Sequence, residues 1–501
     1  MKFENQFFNF FQDTENTFIS QVDPTPVSKP KIIGWSEAVA RDLGISRSDE
    51  NITEILSGNY KTENRTSYSA RYGGHQFGHW AGQLGDGRAI TLGEINHLEV
   101  QLKGAGLTPY SRQGDGRAVL RSSLREFICS EAMHGLGIPT TRALSLVMTG
   151  DFVVRDILYN GNPAPESGAI VARVSPSFIR FGHFEILSFD QKIAELKKLT
   201  DFVITHFYPD ILKLQLTEKQ KYAEFLKQVA ERTANMLTDW MSVGFVHGVM
   251  NTDNMSVLGL TIDYGPYGWV EEFDPDFTPN TTDFHQRRYR YAHQPQIALW
   301  NLNAFANALY PLIEDKDLVV EALNSYQKTY ESVYWEKLSH KLGLRLDRTE
   351  EESKFLTELF DLLHETRIDY TLFFRTLCDE KMEENFLDQI KTISYNADFE
   401  LSIDQRWKDW LKEYTYRLQI QALPDRVSVM KSVNPSIIFR NYLAQQVIDA
   451  CEKGDYSLIE NYLKEFREPF KDRDLKNDPM TFKRPNWADN KPGCSILSCS
   501  S

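Results

Sequence analysis

Two short segments of the chain carry oxygen-bearing side chains at a spacing that suits magnesium and phosphate chemistry. The first is "HGVMNTDN" at residues 247–254, and the second is "IDYGP", which begins at Ile262. Asn254 and Asp263 offer an amide and a carboxylate oxygen on either side of a predicted short hairpin, "MSVLGLTI". Mg²⁺ takes few carboxylates from a protein and completes its octahedron with phosphate oxygens and water. Asn254 and Asp263 are therefore predicted as Mg²⁺ ligands at a phosphate-binding site.

The spacing of these side chains matches the protein-kinase motifs H-R-D-x-x-x-x-N and D-F-G. On that frame His247 takes the position of the motif His, while Val249 stands where the catalytic Asp would accept a proton. Asp253 follows a little later in the chain, and it is the candidate for the missing base. A polar turn followed by a chance Asp-Tyr-Gly explains each part alone, but their joint occurrence after a helical segment favours a catalytic site.

A lysine and a glutamate upstream extend the same comparison. Lys103 ends the apolar strand predicted at "VQLK", and Glu126 lies on the next predicted helix, where kinases place the Glu that pairs with this Lys. A buried ammonium needs such a partner to stay charged and oriented. The turn "GQLGDGR" adds Gly85, Gly87 and Arg88, since glycine lets a backbone approach phosphate closely. A plain hairpin turn and a solvated lysine are the alternatives for these features taken singly.

The loop "GAGLTPYSRQGDGR" after Lys103 is unusually rich in glycine. Asp115, Gly116 and Arg117 are predicted to open the following helix. That helix also carries Arg121 and Arg125. A helix N-terminus with guanidinium groups is a ready anion site. The alternative is a capped surface helix with exposed arginines.

Two further arginines stand in apolar surroundings. Arg173 in "VARVS" and Arg180 in "FIRFG" lie on either side of Pro176. Such positions need an acidic or a phosphate partner, and both explanations stay open. The chain has no G-x-x-x-x-G-K-[ST], no G-x-S-x-G and no H-E-x-x-H, so P-loop, serine-hydrolase and zinc-protease chemistry are not expected.

The overall composition limits the class of protein. The chain has 501 residues, a formal net charge of −14 and 41% hydrophobic residues. An acidic chain lacks the basic footprint of a nucleic-acid-binding protein, whereas a few local cations suffice for one triphosphate. Five cysteines favour neither a disulfide framework nor a zinc site. Acidic residues near the start argue against a targeting peptide, and no apolar run is long enough to span a membrane. We therefore expect a cytoplasmic monomer.

The elements that must position these residues change character along the chain. We predict a lead with one helix capped by Ser36, a Gly-rich β half that binds nucleotide, a helical part holding segment 247–265, and a helical extension. These four parts are residues 1–58, 59–185, 186–345 and 346–501. The polar end of the chain, 471–501, is expected to wind over the surface. This order predicts an α+β protein with a protein-kinase-like two-lobed fold, a β-rich N-lobe and a helical C-lobe.

Four long blocks of the sequence resemble signature blocks of the selenoprotein O family, which includes the bacterial YdiU proteins. The blocks are "GQLGDGRAITLGE", "LKGAGLTPYSRQGDGRAVLRSSLREF", "SEAMHGLGIPTTRALSLV" and "FVHGVMNTDNMSVLGLTIDYGP". The resemblance covers most of the chain. It implies a pseudokinase-type fold and a protein adenylyltransferase that moves AMP from ATP to Ser, Thr or Tyr hydroxyls of proteins. It also implies an ATP turned around relative to kinases, so that a base at the kinase position can be lost.

The resemblance also implies roles for residues of this chain. The side chains and backbone implied to hold the nucleotide are Gly85, Gly87, Arg88, Lys103, Asp115, Gly116, Arg173 and Arg180. Glu126 would pair with Lys103, and Asp253 matches the proton acceptor. Asn254 and Asp263 match the Mg²⁺ ligands, and Mn²⁺ with UTP is the alternative to Mg²⁺ with ATP.

The end of the chain departs from the family pattern. Family members often end in Cys-x-x-Cys or Cys-x-x-selenocysteine just before Ser-Ser. Here Cys499 fits the last position, Ile496 occupies the first, and Cys494 lies shortly before both. Redox control through that pair is therefore not implied for this chain.

Two other functions stay open on the sequence. An atypical kinase, acting on a protein or a small molecule, should need an Asp where Val249 stands. A nucleotide-binding scaffold without catalysis would tolerate loss of the metal ligands, yet Asn254 and Asp263 are both present.

Overall fold

The computed structural model describes most of the chain and shows an α+β protein, with the sheet in the first part and helices in the rest. The described residues are 2–12, 16–61, 66–157, 161–380, 385–396, 398–489, 491–494 and 497–498. The predicted α+β class is confirmed. The division of the chain into four parts stays a prediction.

The main sheet is antiparallel and has the strand order β1-β3-β6-β7-β10-β9-β2, with β8 paired to β10. Its strands and the four short ones are β1 (Ile19–Gln21), β2 (Lys31–Trp35), β3 (Tyr68–Ala70), β4 (His75–Gln76), β5 (His79–Trp80), β6 (Ala89–Ile95), β7 (Leu98–Lys103), β8 (Ala118–Val119), β9 (Arg142–Arg155), β10 (Ala164–Ser175), β11 (Phe245–Val246) and β12 (Gly268–Trp269). Both ends of the order, β1 and β2, come from the first 58 residues of the chain. That segment is therefore part of the sheet.

Sixteen α-helices are present in the described part of the chain. They are α1 (Gln6–Phe11), α2 (Glu37–Leu43), α3 (Ile52–Ser57), α4 (Leu120–Gly135), α5 (Phe181–Phe189), α6 (Ile193–Phe207), α7 (Glu218–Val243), α8 (Gln294–Ile313), α9 (Lys316–Leu342), α10 (Glu350–Glu365), α11 (Tyr370–Thr376), α12 (Phe386–Ile393), α13 (Leu401–Gln421), α14 (Arg426–Val433), α15 (Asn441–Glu452) and α16 (Ser457–Glu465). The long helices α7, α8 and α9 pack together. α7 shows why its ends lie where they do, because Thr217 and Gln220 form a capping box and Gly244 ends the helix at a φ of 74°.

Helix α4 lies against β9 and β10 and is almost wholly buried. Its apolar residues, such as Leu124, Phe127 and Ile128, belong to the largest core cluster. The helix begins at Leu120, after the two-residue strand β8. The prediction that residues 115–117 open this helix is therefore wrong, because they form the loop before β8.

The segment between Asn254 and Asp263 is not the predicted hairpin. Its two arms do not pair with each other, because Ser256 pairs with Arg180 and Thr261 pairs with Thr140. Each arm is thus tied to the sheet-bearing part of the chain, where residues 140 and 180 flank β9 and β10. This pairing fixes both ends of the segment.

The C-terminal helices return to the start of the molecule, since α15 and α16 both pack against α4. The end of the tail is buried, with Cys494 4% exposed and Leu497 fully covered. The predicted course over the surface is wrong at this end, because Leu497 O accepts a hydrogen bond from Thr281 N (2.8 Å). The cysteines at 129, 378, 451 and 494 are buried and form no disulfide among the described residues, whereas Ile496 and Cys499 lie outside the described residues. None of the helices described is both long and apolar enough to cross a membrane.

Candidate active site

A cleft of about 690 Å³ lies between the sheet and the segment that carries Asn254 and Asp263. The predicted site residues that line it are Gly85, Gly87, Arg88, Lys103, Asp115, Gly116, Arg173, Asp253, Asn254 and Asp263. Glu126 and Arg180 are not in this lining, and they contact the lining residues from behind. Val249 also faces the cleft.

Strand β7 delivers Lys103 to the cleft, and α4 delivers Glu126 behind it. Lys103 Nζ lies 2.6 Å from Glu126 Oε2 and 3.7 Å from Asp263 Oδ1. Burial lowers the pKa of Lys103, and the charge of Glu126 opposes that shift. The pair keeps a largely buried ammonium oriented toward Asp263.

Arg173 and Arg180 join this group from β10 and from the start of α5. Arg173 donates to Asp263 and to Glu126 (3.1 Å), and Arg180 Nη1 donates to Asp263 Oδ2 (2.5 Å). Both guanidinium groups are buried, with side chains 3% and 2% exposed. Of the two explanations for these arginines, an acidic partner inside the protein is therefore observed.

The Asp263 carboxylate is the centre of this network. Burial acts to raise its pKa, but the charges of Arg180, Arg173 and Lys103 outweigh burial and hold the pKa well below its usual value. Its backbone has a φ of 59°, a region that non-glycine residues seldom adopt. His247 supports this conformation from the core, since its Nε2 donates to Ile262 O (2.8 Å). The carboxylate is thus ionised and rigidly placed.

Asn254 lies beside this carboxylate, with its Nδ2 3.3 Å from Asp263 Oδ2. The two side chains therefore bring an amide and a carboxylate together at the cleft surface. No cluster of three or more His, Cys, Asp or Glu side chains suited to a metal occurs among the described residues. The donor set fits Mg²⁺, which needs few protein ligands when phosphates and water supply the rest.

Asp253 has very different surroundings. Gln76 Nε2 donates to its Oδ2 (3.2 Å), while Oδ1 is buried without a hydrogen-bond partner among the described residues. A Cβ on Gly74 would lie only 3.1 Å from that oxygen, so glycine at this position lets the turn pack closely over the carboxylate. Burial raises the pKa of Asp253 to about 7. A carboxylate of this kind can accept a proton near neutral pH.

Two glycine-rich loops close the other end of the cleft by lying on each other. A Cβ at Gly85, whose φ is 132°, would meet Tyr110 Cγ at 2.4 Å. A Cβ at Gly116, whose φ is 70°, would meet Gly106 O at 2.1 Å. Only glycine fits such close approaches. Beneath these loops, the Arg88 side chain makes neither a hydrogen bond nor an ion pair with any described residue, although burial lowers its pKa.

The remaining predicted cations of this region are engaged elsewhere. Arg121 donates to both oxygens of Glu166 (3.1 and 3.0 Å), and Arg125 donates to Asn441 Oδ1 (3.0 Å). The predicted anion site at the start of their helix is therefore wrong, because both guanidinium groups point into protein. Asp115 is at the cleft, where Arg155 binds both its oxygens (2.7 and 2.8 Å).

The cleft residues that the sequence did not indicate include Gln76, Asp86, Tyr110 and Arg155. Asp86 is 4% exposed and accepts hydrogen bonds from Ala70 N (3.2 Å) and Gln101 Nε2 (3.2 Å). The glycines around "YGGHQFGH" were a signal for the turn that holds Gln76. Nothing in the sequence indicated Arg155, because its partner, Asp115, lies 40 residues earlier in the chain.

Comparison with known proteins points to one family. The family model described as "Protein adenylyltransferase SelO" matches residues 2–467. A protein nucleotidyltransferase YdiU of Nitrosospira multiformis is 46% identical, over 98% of this chain and 93% of its own. One of Xanthomonas euvesicatoria pv. vesicatoria is 49% identical, over 96% of this chain and 94% of its own. The predicted resemblance is confirmed, and the chain belongs to the SelO family.

Proposed function

We propose that this protein is a nucleotidyltransferase that moves AMP from ATP to Ser, Thr or Tyr hydroxyls of other proteins. The observation that carries the proposal is the Asp253 carboxylate at the edge of a cation-lined cleft, where Gln76 holds one oxygen and the other oxygen is buried without a hydrogen-bond partner among the described residues. The position of the kinase base holds Val249 instead, which cannot accept a proton. The names of the family and of its relatives support nucleotidyl transfer to protein.

The chemistry we propose uses the residues in distinct roles. The ionised Asp253 takes the proton of the acceptor hydroxyl as the hydroxyl oxygen bonds to the α-phosphorus. The bond from that phosphorus to the bridging oxygen breaks, and pyrophosphate leaves. Arg88 and Lys103 neutralise the charge of the phosphates. Asp115 and Gly116 contact the nucleotide from the glycine-rich loop that also lines the cleft. A proton acceptor of this kind contributes roughly 10²–10⁴ in rate.

Asn254 and Asp263 would hold Mg²⁺, with Mn²⁺ as the alternative ion. When bound, the ion neutralises charge on the triphosphate and so eases displacement at phosphorus. Binding of the metal ion needs Asp263 to be ionised. Arg173 and Arg180 beside this carboxylate keep it ionised, because their charges lower its pKa. We also propose that the sheet part and the helical part correspond to the two lobes of a protein-kinase-like fold, with the ATP turned around relative to kinases.

The direct test is to incubate the protein with ATP labelled at the α- or the γ-phosphate. We expect label on protein only from the α position. Label from the γ position alone would instead support a kinase, and no label from either would support a scaffold. A parallel reaction with α-labelled UTP and Mn²⁺ measures the nucleotide preference.

The Val249→Asp variant separates the two orientations of ATP. It restores an aspartate at the kinase position, beside the same cleft. We expect no transfer of γ-label, because the γ-phosphate points away from that position in the turned-around nucleotide. Appearance of γ-transfer would contradict the proposed orientation and favour the kinase alternative.

A further inference from the structure

Two arginines that form no ion pair among the described residues lie next to the turn that brings Gln76 to the cleft. Arg287 and Arg288 lie in the loop before α8, and neither forms an ion pair with a carboxylate of the described residues. The Nε of Arg288 is buried without a hydrogen-bond partner there. Arg290 in the same loop is different, because its guanidinium lies 2.8 Å from Asp276. The loop therefore holds one arginine in an ion pair and two that form no ion pair with a described residue.

The backbone of this loop is held firmly in place. The buried Asp283 accepts hydrogen bonds from Arg288 N (3.0 Å) and Tyr289 N (2.7 Å). The guanidinium of Arg288 lies over the ring of Trp300, 4.8 Å from its centroid. Arg287 has a φ of 47°, which is costly for a non-glycine residue and needs such support. Stacking explains how the Arg288 side chain is oriented. The buried Asp283 acts on Arg288 electrostatically, but no carboxylate of the described residues lies within ion-pair distance of the Arg288 guanidinium.

The same loop is joined to the turn that covers Asp253. Tyr289 OH donates to Asn251 Oδ1 (2.6 Å), and Phe77 N donates to the same oxygen (3.1 Å). A Cβ on Gly78 would lie 3.3 Å from Arg288 Cζ. Gln76, in that turn, is the donor to Asp253. The two arginines therefore lie beside the turn that brings Gln76 to the cleft and to Asp253.

These arginines are not needed for the phosphates of the nucleotide. Neither of them lines the cleft, whereas Arg88, Lys103 and Arg173 do. The chain as a whole has a net charge of −14, so its general field repels acidic partners. A fixed basic rim on an acidic protein is a specific feature, and a carboxylate suits the planar fork of a guanidinium.

We propose that Arg287 and Arg288 select protein substrates whose target hydroxyl is flanked by acidic residues, an inference that rests on the proposed adenylyl transfer. The neighbouring Asp or Glu side chains of the substrate supply the counter-charges that the loop lacks. The hydroxyl between them is thereby brought to Asp253. Because the pairs form at a solvated rim, each is modest and is weakened by salt.

The test uses synthetic peptides that differ only in the residues beside a single Ser, which are Glu, Gln or Lys. We expect wild type to adenylylate the Glu peptide about 3–10-fold faster than the Gln peptide at low salt, with the ratio falling as salt rises. The double variant R287Q/R288Q should bring the ratio close to unity. The double variant R287E/R288E should reverse it in favour of the Lys peptide. The matched control is Arg41→Glu, an exposed arginine on α2 that should leave the ratio unchanged.

The outcomes separate this inference from the proposed function. Equal rates on the Glu and Gln peptides, or a Glu preference that survives in R287Q/R288Q, would overturn the inference and leave adenylyl transfer standing. Labelling of the protein itself but of none of the peptides would also count against it. Absence of α-label on every polypeptide would refute the proposed function, and this inference with it. Calorimetric titration with ATP shows which variants retain a folded nucleotide site. If R287E/R288E does not fold, the ratio of the rates on the Glu and Gln peptides measured for R287Q/R288Q decides the test.

Discussion

Asp253 and Asp263 line the same cleft, yet their surroundings shift the pKa of the two carboxyl groups in opposite directions. Burial raises the pKa of Asp253 to about 7, and Arg180 opposes this only in part. Asp263 is also buried, but Arg180, Arg173 and Lys103 together hold its pKa well below its usual value. One carboxylate is thus a permanent charge, and the other is poised to exchange a proton. Such divergence within a single site is how acid–base roles are assigned in many enzymes.

The same contrast divides the cations of the site. Arg173 and Arg180 are buried and form ion pairs with Asp263, so they serve the architecture of the cleft as much as any ligand. Arg88, Arg287 and Arg288 have no acidic partner within ion-pair distance in the part of the chain described. The paired network gives the site its shape, and the unpaired charges are available to bind. Each of the following variants tests on which side of this division a residue lies.

The largest effect on activity is expected for Asp253→Asn. The change keeps the shape of the side chain but removes the proton acceptor, so AMP transfer should fall by roughly 10²–10⁴. Stability should be unchanged or higher above neutral pH, because a buried group with a raised pKa costs stability once it ionises. Rates with α-labelled ATP and a thermal melt measure the two effects. A large loss of stability together with normal transfer would place Asp253 in the structural network instead.

The same substitution at Asp263 should, by contrast, destabilise the folded protein. Asp263→Asn leaves Arg173 and Arg180 without their shared counter-charge, and breaking a buried ion pair costs about 3 kcal/mol of the free energy of unfolding. Metal-dependent ATP binding should be lost as well. Denaturant unfolding and calorimetric titration with Mg²⁺ and ATP provide the measurements. A stable variant that binds ATP normally would contradict the assignment of this carboxylate as both anchor and ligand.

A smaller effect, confined to binding, is expected for Arg88→Gln. The guanidinium faces the cleft without a partner among the described residues, so its loss should weaken ATP binding by about 1.5–3 kcal/mol and leave the melting temperature of the free protein unchanged. Arg180→Gln is the matched comparison. It should lower the melting temperature, because Arg180 is 2% exposed and donates to Asp263 Oδ2 (2.5 Å) and to Asp253 O (2.9 Å). Identical behaviour of the two variants would remove the distinction between paired and unpaired arginines.

Much of the site could be predicted from sequence because its parts are local. The spacing of Asn254 and Asp263 and the apolar strand that ends at Lys103 are patterns within a few residues. The rest depends on partners that are distant in the chain. Arg121 is held by Glu166, and Ser256 pairs with Arg180 rather than across a hairpin. No local pattern encodes such pairings, so the predictions of an anion site at the start of the helix and of a hairpin were both wrong.

The strands β1 and β2 illustrate the same limit in the fold. Each is short, and their partners β3 and β9 are fixed by the sheet and not by any turn between them. Gln76 was missed for a related reason, because an exposed-looking turn of glycines shows its purpose only when Asp253 is placed beneath it. The sequence predicted which residues have the right chemistry. The structure was needed to show which of their charges are already compensated.

The smallest effect, and the one that tests the poised state of Asp253 directly, concerns Gln76→Leu. Asp253 must be ionised to accept a proton, so the wild-type rate of AMP transfer should rise with pH through about 7 and level off above it. The amide of Gln76 donates to Oδ2 and favours the ionised form, so its removal should raise the pKa of Asp253 further. The midpoint of the pH–rate profile should then move upward, and at acidic pH the rate should fall in proportion to the ionised fraction of Asp253. At alkaline pH the two profiles should converge, because Asp253 is ionised in both proteins. A role for Gln76 in folding alone would lower the rate by the same factor at every pH and leave the midpoint in place, and that result would contradict the prediction.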